Sequence, residues 1–455
     1  MKHYRFNKLL SILMSLTTFV SLTGYGMFVK ANEASAGDSQ PSVQEEQMGV
    51  SSEENTEEDW ISSLSTEPIK LTFWHNSDRV DYVPIVDKAF QEKYPNVELE
   101  HSYATAADLK NNIAVASAAG TLPSVFQKSD GADTRRLTEQ GYLYDITKFT
   151  ELDNWDEKII PWIIEQCKYE GDGAITQFPF MYQTFAILYR TDIAEQLGIP
   201  IPTTLEEFEA NMQTYKDNGY IPFALGGATH HLLRIWSSLC EMYAGSELMD
   251  QLMALEASWD CEAVVNAFSK LSDWYDRGFL AEDFLTQSPN DARLMLYAGK
   301  AAFTHDSLAI LRTMYTTMGP EVENYSMYTI PRGDGGTRIG REVASYLFNS
   351  SMTETEAAYA YLYMKEYTNY ENEELSEHMI LPMPFIDYPM PEWFEIPLNA
   401  TNEIIEKGGT MMNPDILLPS DLQVVLGDVT QAVILHSMTP EEAAKELQTT
   451  IEGLE

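Results

Sequence analysis

Strand, helix, strand, helix, strand is the order in which hydrophobic periodicity runs from Ile69 onward, and that order constrains the fold more than any other feature of the chain. IKLTFWH, beginning at Ile69, is β-rich, and the apolar positions Val83, Val86, Ala89 and Phe90 then repeat at helical spacing until Tyr94-Pro95-Asn96 stops them. VELEHSY reads as a second strand, residues 108–119 as a helix closed by Gly120, and LPSVFQK as a third, short strand. Such alternation is the signature of a parallel α/β sheet. Open sheets of this kind bind ligands beyond the carboxyl ends of their strands, where the loops gather. That places Trp74, His75, Asn76, Ser77 and Asp78 after the first strand, and Ser129 and Asp130 after the third, at one rim. No Gly-x-Gly-x-x-Gly or Walker-type loop follows any strand, so no nucleotide and no other cofactor is expected.

The pattern changes at FPFMYQTFAILYR, a strand-like run over residues 178–189, followed by a helix and by Pro200 and Pro202. Thr204 with Glu207 three residues on predicts a capped helix, and from there to about Leu311 the periodicity is mostly helical. YTIPRGDGG, residues 328–336, is a Pro and Gly break that reads as a linker; a strand, VASYLFN, and a helix over 353–367 follow it.

Upstream of the sheet, Lys2, Arg5 and Lys8 precede an apolar stretch over residues 9–20, the charged and hydrophobic regions of a secretory signal. Ser21 to Gly26 reads SLTGYG, and a lipoprotein would carry cysteine where Tyr25 stands. Acylation needs a thiolate and a phenol cannot replace it. Three outcomes stay open: cleavage after the small-x-small run Ala34-Ser35-Ala36, an uncleaved anchor over residues 9–29, or loss of the lipid site by a single codon change. Export with cleavage is the expectation, with residues 1–36 as signal peptide and 37–67 as a disordered acidic tether of Ser, Glu, Gln and Asn. The mature protein is then extracytoplasmic, secreted or held at the outer face of the membrane.

Lysine and arginine number 29 against 70 aspartates and glutamates, and a net charge of −41 excludes nucleic acid as a partner. Cys167, Cys240 and Cys261 show no Cys-x-x-Cys spacing, so they read as buried small residues, with a bridge between Cys240 and Cys261 as the alternative. His230 and His231 are adjacent and diverge, which disfavours a shared metal ion, and no metal site is expected. No nucleophile and base stand at a recognisable spacing.

IKLTFWH, FQEKYPNVELE, IAVASAAGTLPSVFQ, GYLYDIT, FPFMYQTFAILYRTDIAEQLGI, TTLEEF and GKAAF follow one another as in the extracellular solute-binding proteins of ABC importers, and the chain resembles their carbohydrate-binding, maltose-binding-protein-like branch. The resemblance implies a two-lobed periplasmic-binding-protein-like fold with a hinge and a ligand cleft between α/β lobes. It puts residues 68–180 and 335–381 in an N-terminal lobe, 181–327 and 382–455 in a C-terminal lobe, and a hinge crossover at 328–334. It also implies a monomer that captures a small solute, expected to be a carbohydrate, and delivers it to ABC permease transmembrane subunits, with no catalysis. A secreted glycan-active enzyme and a surface sensor of the same fold are the alternatives.

Sugar rings stack apolar C–H faces on aromatic planes while their hydroxyls need planar polar partners. The ligand-binding expectations are therefore Trp74, Asn76 and Asp78 at the first strand end, Tyr182 and Gln183 at the first crossover, and Trp236 in the helical lobe. Core packing competes with stacking for each aromatic, and it prevails for Trp259 and Trp274, which stand at helical spacing among apolar residues. Asp130 matches a polar family position at the end of the third strand, with a structural cap as its alternative. In GKAAFTHDSLAI the resemblance makes His305 and Asp306 polar candidates, but Leu308 stands where the family often has a stacking tryptophan. That departure leaves peptides, modified sugars or a monosaccharide open as ligands.

Overall fold

The computed structural model describes residues 57–454 apart from 130, 170, 333–335 and 379–381. The signal segment, the lipobox-like Tyr25 and most of the tether lie outside the described residues, as does Asp130. The tether expectation is corrected at its C-terminal end, where Glu57–Ser62 forms a helix. Trp60 packs 5.2 Å from Phe149, and Ile61 and Leu64 rest on the same core. Apolar side chains of this size bury where a surface accepts them, whatever the acidity of their neighbours.

Among the described residues, nine strands form one mixed sheet: β1 (Ile69–Asn76), β2 (Val97–Ala104), β3 (Val125–Ser129), β4 (Gln177–Arg190), β5 (Ile221–Ala224), β6 (Ala301–Ser307), β7 (Tyr325–Tyr328), β8 (Ile339–Phe348) and β9 (Thr410–Met412). Their order is β2-β1-β3-β8-β4-β6-β5, with β7 beside β4 and β9 beside β8. The expected parallel pairing holds for β1 with β2 and β3, and again for β5 with β6. The joint between these groups is antiparallel, because β8 runs against both β3 and β4, and β4 against β6.

Local sequence accounts for the helix ends. Thr105 caps the helix Ala106–Ala119 by accepting from the Asp108 N–H, and Gly120 closes it at φ 66°, a left-handed conformation that suits glycine. Thr204 accepts from the Glu207 N–H, but the Glu207 carboxylate turns one residue further back and accepts from the Thr203 N–H at 2.8 Å.

Two hydrophobic cores flank the antiparallel joint. The first gathers Phe73, Val86, Phe90, Tyr346, Tyr361 and Tyr363; the second gathers Phe208, Phe223, Trp236, Trp259, Trp274 and Phe303. β4 serves both, since Ala186 and Leu188 enter the first core while Ile187 and Tyr189 enter the second. Successive side chains of a strand point to opposite faces, so one strand can serve two cores. Leu308, Leu311, Met314, Val322, Tyr325, Met327 and Phe394 pack in the first core with Ala186 and Leu188. Met327 and Tyr328, adjacent on β7, divide between the two cores in the same way, because they face opposite sides of the sheet. Cys167, Cys240 and Cys261 form no disulfide with one another, and Trp259 and Trp274 are fully buried.

Candidate functional site

A cleft of about 480 Å³ opens where the carboxyl ends of β1 and β3 face the second lobe. Asn76, Gln127, Lys128 and Ser129 come from those strand ends, Leu109, Lys110 and Ile113 from the helix above them, and Gln183 and Phe185 from the middle of β4. The second lobe supplies His230, Arg234, Arg293, Ser307 and the run from Asp415 to Gln423, while Glu342 projects from β8.

Arg234 is the best-held group in this wall. Its guanidinium lies 3.7 Å over the Phe185 ring. Nε donates to Asp415 Oδ1 at 3.0 Å and Nη2 to Asp415 Oδ2 at 2.6 Å, a bidentate pair, and Nη2 also stands 3.5 Å from Glu342 Oε2. Glu342 Oε1 accepts from the Ser129 hydroxyl at 2.6 Å, so a polar chain runs from β3 through β8 to the second lobe. Burial works against the Arg234 charge, but Asp415 and Glu342 outweigh it and raise its pKa. Burial likewise would raise the Asp415 pKa, and the Arg234 charge and hydrogen bonds hold it below the usual carboxylate range instead.

A second bidentate pair lies deeper. Arg293 Nε and Nη2 donate to Asp306 at 2.6 and 2.9 Å, and the Ser307 N–H donates to the same carboxylate at 2.7 Å. At the mouth, Lys128 Nζ lies 3.2 Å from Asp133, whose pKa is lowered because Lys128 outweighs its partial burial. His230 opens onto the cleft; enclosure by the walls, then the Arg234 charge, push its pKa down to about 4, so the ring is neutral at pH 7.

The structure brings Asn76 and Gln183 to the cleft, and Asp306 reaches it only by holding Arg293. Asp130 lies outside the described residues, and the structure places the remaining expected residues away from the cleft. Trp74 shares the face of Asn76 but sits two residues back, against the cluster of Leu109, Ile113, Phe126 and Leu347. Asp78 is exposed and pairs with Arg79 at 3.4 Å, outside the cleft. Tyr182 points opposite to Gln183 along β4 and packs edge-on to Trp162 at 5.5 Å. Trp236 is fully buried and stacks on Trp259 at 5.5 Å. His305 is buried too; its carbonyl accepts from His231 Nδ1 at 3.1 Å, and burial followed by the neighbouring His231 and Arg234 pushes its pKa down to about 3. Leu308, in place of the stacking tryptophan, is fully buried in the first core.

Sequence reading missed Arg234, Asp415, Glu342, Gln127 and Arg293: none stands in a local motif, and the partners of all but Arg293 lie far away along the chain. The one available signal was a lone arginine in the apolar run LLRIW, where an unpaired charge would be costly. Another cavity, about 540 Å³, lies on the first lobe near Trp155, Phe178 and Phe385. Its buried carboxylate, Asp153, already accepts from Lys158 and Lys365 at 2.7 Å and from the Tyr361 hydroxyl at 3.1 Å. The cleft at the strand ends, with polar groups from both lobes, is therefore the candidate site.

Comparison with known proteins agrees with this fold. The profile of the family described as bacterial extracellular solute-binding protein matches residues 76–372. Among solved structures, a chitin oligosaccharide binding protein superposes with a TM-score of 0.71 at 20% identity, covering 84% of this chain and 98% of its own. The maltose-bound MalE3 of T. maritima gives 0.68 at 17% identity, covering 85% and 100%. A sugar transporter from Bacillus licheniformis in complex with stachyose gives 0.66 at 17% identity, again covering 85% and 100%. None of the curated proteins matches the chain.

Proposed function

Because the chain belongs to the bacterial extracellular solute-binding proteins, we propose that its cleft captures a small, neutral carbohydrate outside the cytoplasmic membrane and presents it to an ABC permease. The observation that carries this reading is the composition of the cleft wall. Its charges are paired within the protein, Arg234 with Asp415 and Arg293 with Asp306. Paired charges keep free lone pairs and N–H groups for hydroxyls without demanding a charged ligand. The neighbours named above for chitin oligosaccharide, maltose and stachyose point to the same ligand class.

Among the described lining residues Phe185 is the one benzenoid ring, and Arg234 covers one face of it. Long oligosaccharides need a row of aromatic plates. A mono- or disaccharide fits this wall better. Binding without bond cleavage is supported by the state of the carboxylates. A glycosidase needs an acid of raised pKa, whereas the Arg234 charge holds Asp415 low.

Calorimetric titration with a panel of mono- and disaccharides tests this reading. Saturable binding with the sugar recovered intact is the expected result. Binding of amino acids or peptides with no response to any sugar would overturn it, and cleavage products would favour an enzyme. For the membrane question, labelling with a palmitate analogue should leave the chain unmodified and should label Tyr25→Cys.

A further inference from the structure

Gly131 precedes the helix Ala132–Glu139 with φ 125° and ψ −166°, a conformation that L residues avoid. Its α-carbon faces the other lobe at short range. A Cβ placed there would lie 2.6 Å from the Ile416 carbonyl oxygen and 2.6 Å from its Cγ2. Ile416 belongs to the short helix Pro414–Leu417, whose Asp415 holds Arg234. Contacts of the same kind flank this approach: Lys110 Nζ donates to Ser420 Oγ at 3.0 Å, and Gln166 Nε2 reaches Met412 Sδ at 3.2 Å.

Carbon atoms in contact settle at about 3.5–4.0 Å. A methyl at position 131 would thus have to push Ile416 Cγ2 back by roughly 1 Å, and it would crowd the Ile416 carbonyl oxygen as well. A carbonyl in a helix cannot rotate aside as the end of a flexible side chain can, so the lobes as a whole must yield.

We propose that Gly131 is the closure stop of the cleft: the lobes meet there backbone to backbone, and any side chain at 131 bars the fully closed arrangement. The inference rests on the clamshell reading of the family, and it adds that one bare α-carbon sets how tightly the ligand is enclosed. Closure expels water and brings both walls onto the solute, so this position governs affinity without touching the solute itself.

Spin labels at Glu92→Cys and Glu206→Cys, on the two lobes, test it in a Cys261→Ser background, since the other thiols are buried. Distances are measured bare and with maltose, stachyose and chitin oligosaccharide added. The unaltered chain should populate the short distance of the structure, and Gly131→Ala should lose that population and shift to longer values. Gly141→Ala is the control for backbone strain alone, because Gly141 also has positive φ (74°) but open space around it. It should behave as the unaltered chain. Ile416→Phe enlarges the opposite surface without any backbone demand and should open the pair likewise, which covers the case of Gly131→Ala failing to fold.

A short-distance population retained in Gly131→Ala, an equal shift in Gly141→Ala, or an unaltered chain that never reaches the short distance would each overturn the proposal. Calorimetry on the unaltered chain judges the solute-binding reading separately.

Discussion

Arg234 is enclosed by a phenyl ring on one face and a carboxylate along its edge, and this arrangement makes the residue scale testable. Removing one partner of a buried ion pair leaves the other charge uncompensated, at a cost of about 3–5 kcal/mol. Asp415→Ala should therefore lower the stability measured by denaturant unfolding by about that much and abolish sugar binding, while conversion of both Arg234 and Asp415 to apolar residues should recover part of the stability but none of the binding. The pH dependence follows from the same groups. Asp415 has a depressed folded pKa, so its stabilisation is present above the unfolded aspartate value of about 3.9 and is lost as pH falls through the folded value. His305 acts earlier on the way down. Its folded pKa of about 3 lies below the unfolded value near 6.5, so the unfolded state binds the proton first and stability falls from about pH 6.5 downward. By pH 5 one such ring should cost about 2 kcal/mol, and thermal midpoints of His305→Gln should show a flatter slope between pH 7 and 5. An unchanged slope would mean that the ring is hydrated in solution.

At the scale of elements, the ends of helices and the alternation of β4 carry the argument. Thr353 accepts from the Glu356 N–H while the Glu356 carboxylate accepts from the Thr353 N–H at 2.7 Å, a complete capping box for the helix Glu354–Tyr367. Thr353→Ala should cost about 0.5–2 kcal/mol in denaturant unfolding and leave sugar affinity unchanged, because the cap is remote from the cleft. Trp236 belongs to the core of its helix rather than to the ligand. Trp236→Ala should cost about 3–5 kcal/mol, and at a temperature where the variant remains folded its sugar affinity should match that of the unaltered chain. β4 shows how near the sequence came: Tyr182 and Gln183 were both assigned to the ligand, yet adjacent strand residues face opposite sides. Only one of such a pair can line a cleft.

For the whole molecule, β4 and β8 run continuously beneath the cleft, and the expected motion is a rotation of one wall of the cleft against the other. Sugar binding should narrow the distance between labels at Glu92 and Glu206, on the microsecond-to-millisecond scale of hinge motion. The net charge of −41 should matter little to this change, since surface charges are screened over about 8 Å at physiological ionic strength. Repeating the distance measurement in high salt checks that, and a change that vanishes with salt would place electrostatics, not cleft contacts, in control of closure.

The α/β class, the alternation of strand and helix from Ile69 onward, the helix cap at Thr204 and the strand-end rim on which Asn76 stands were legible in the chain alone. These depend on periodicity and on partners within a few residues, and both are written locally. Which aromatics are core and which polar groups line the cleft was decided only in three dimensions. Arg234 acquires its role from Phe185, Glu342 and Asp415, which stand 49, 108 and 181 positions away, and Trp236 loses its expected role to Trp259 and Phe268 across a core. A charge becomes a fixed part of a site, or a ring becomes packing, only when distant segments desolvate it together, and no local pattern in the chain encodes that meeting.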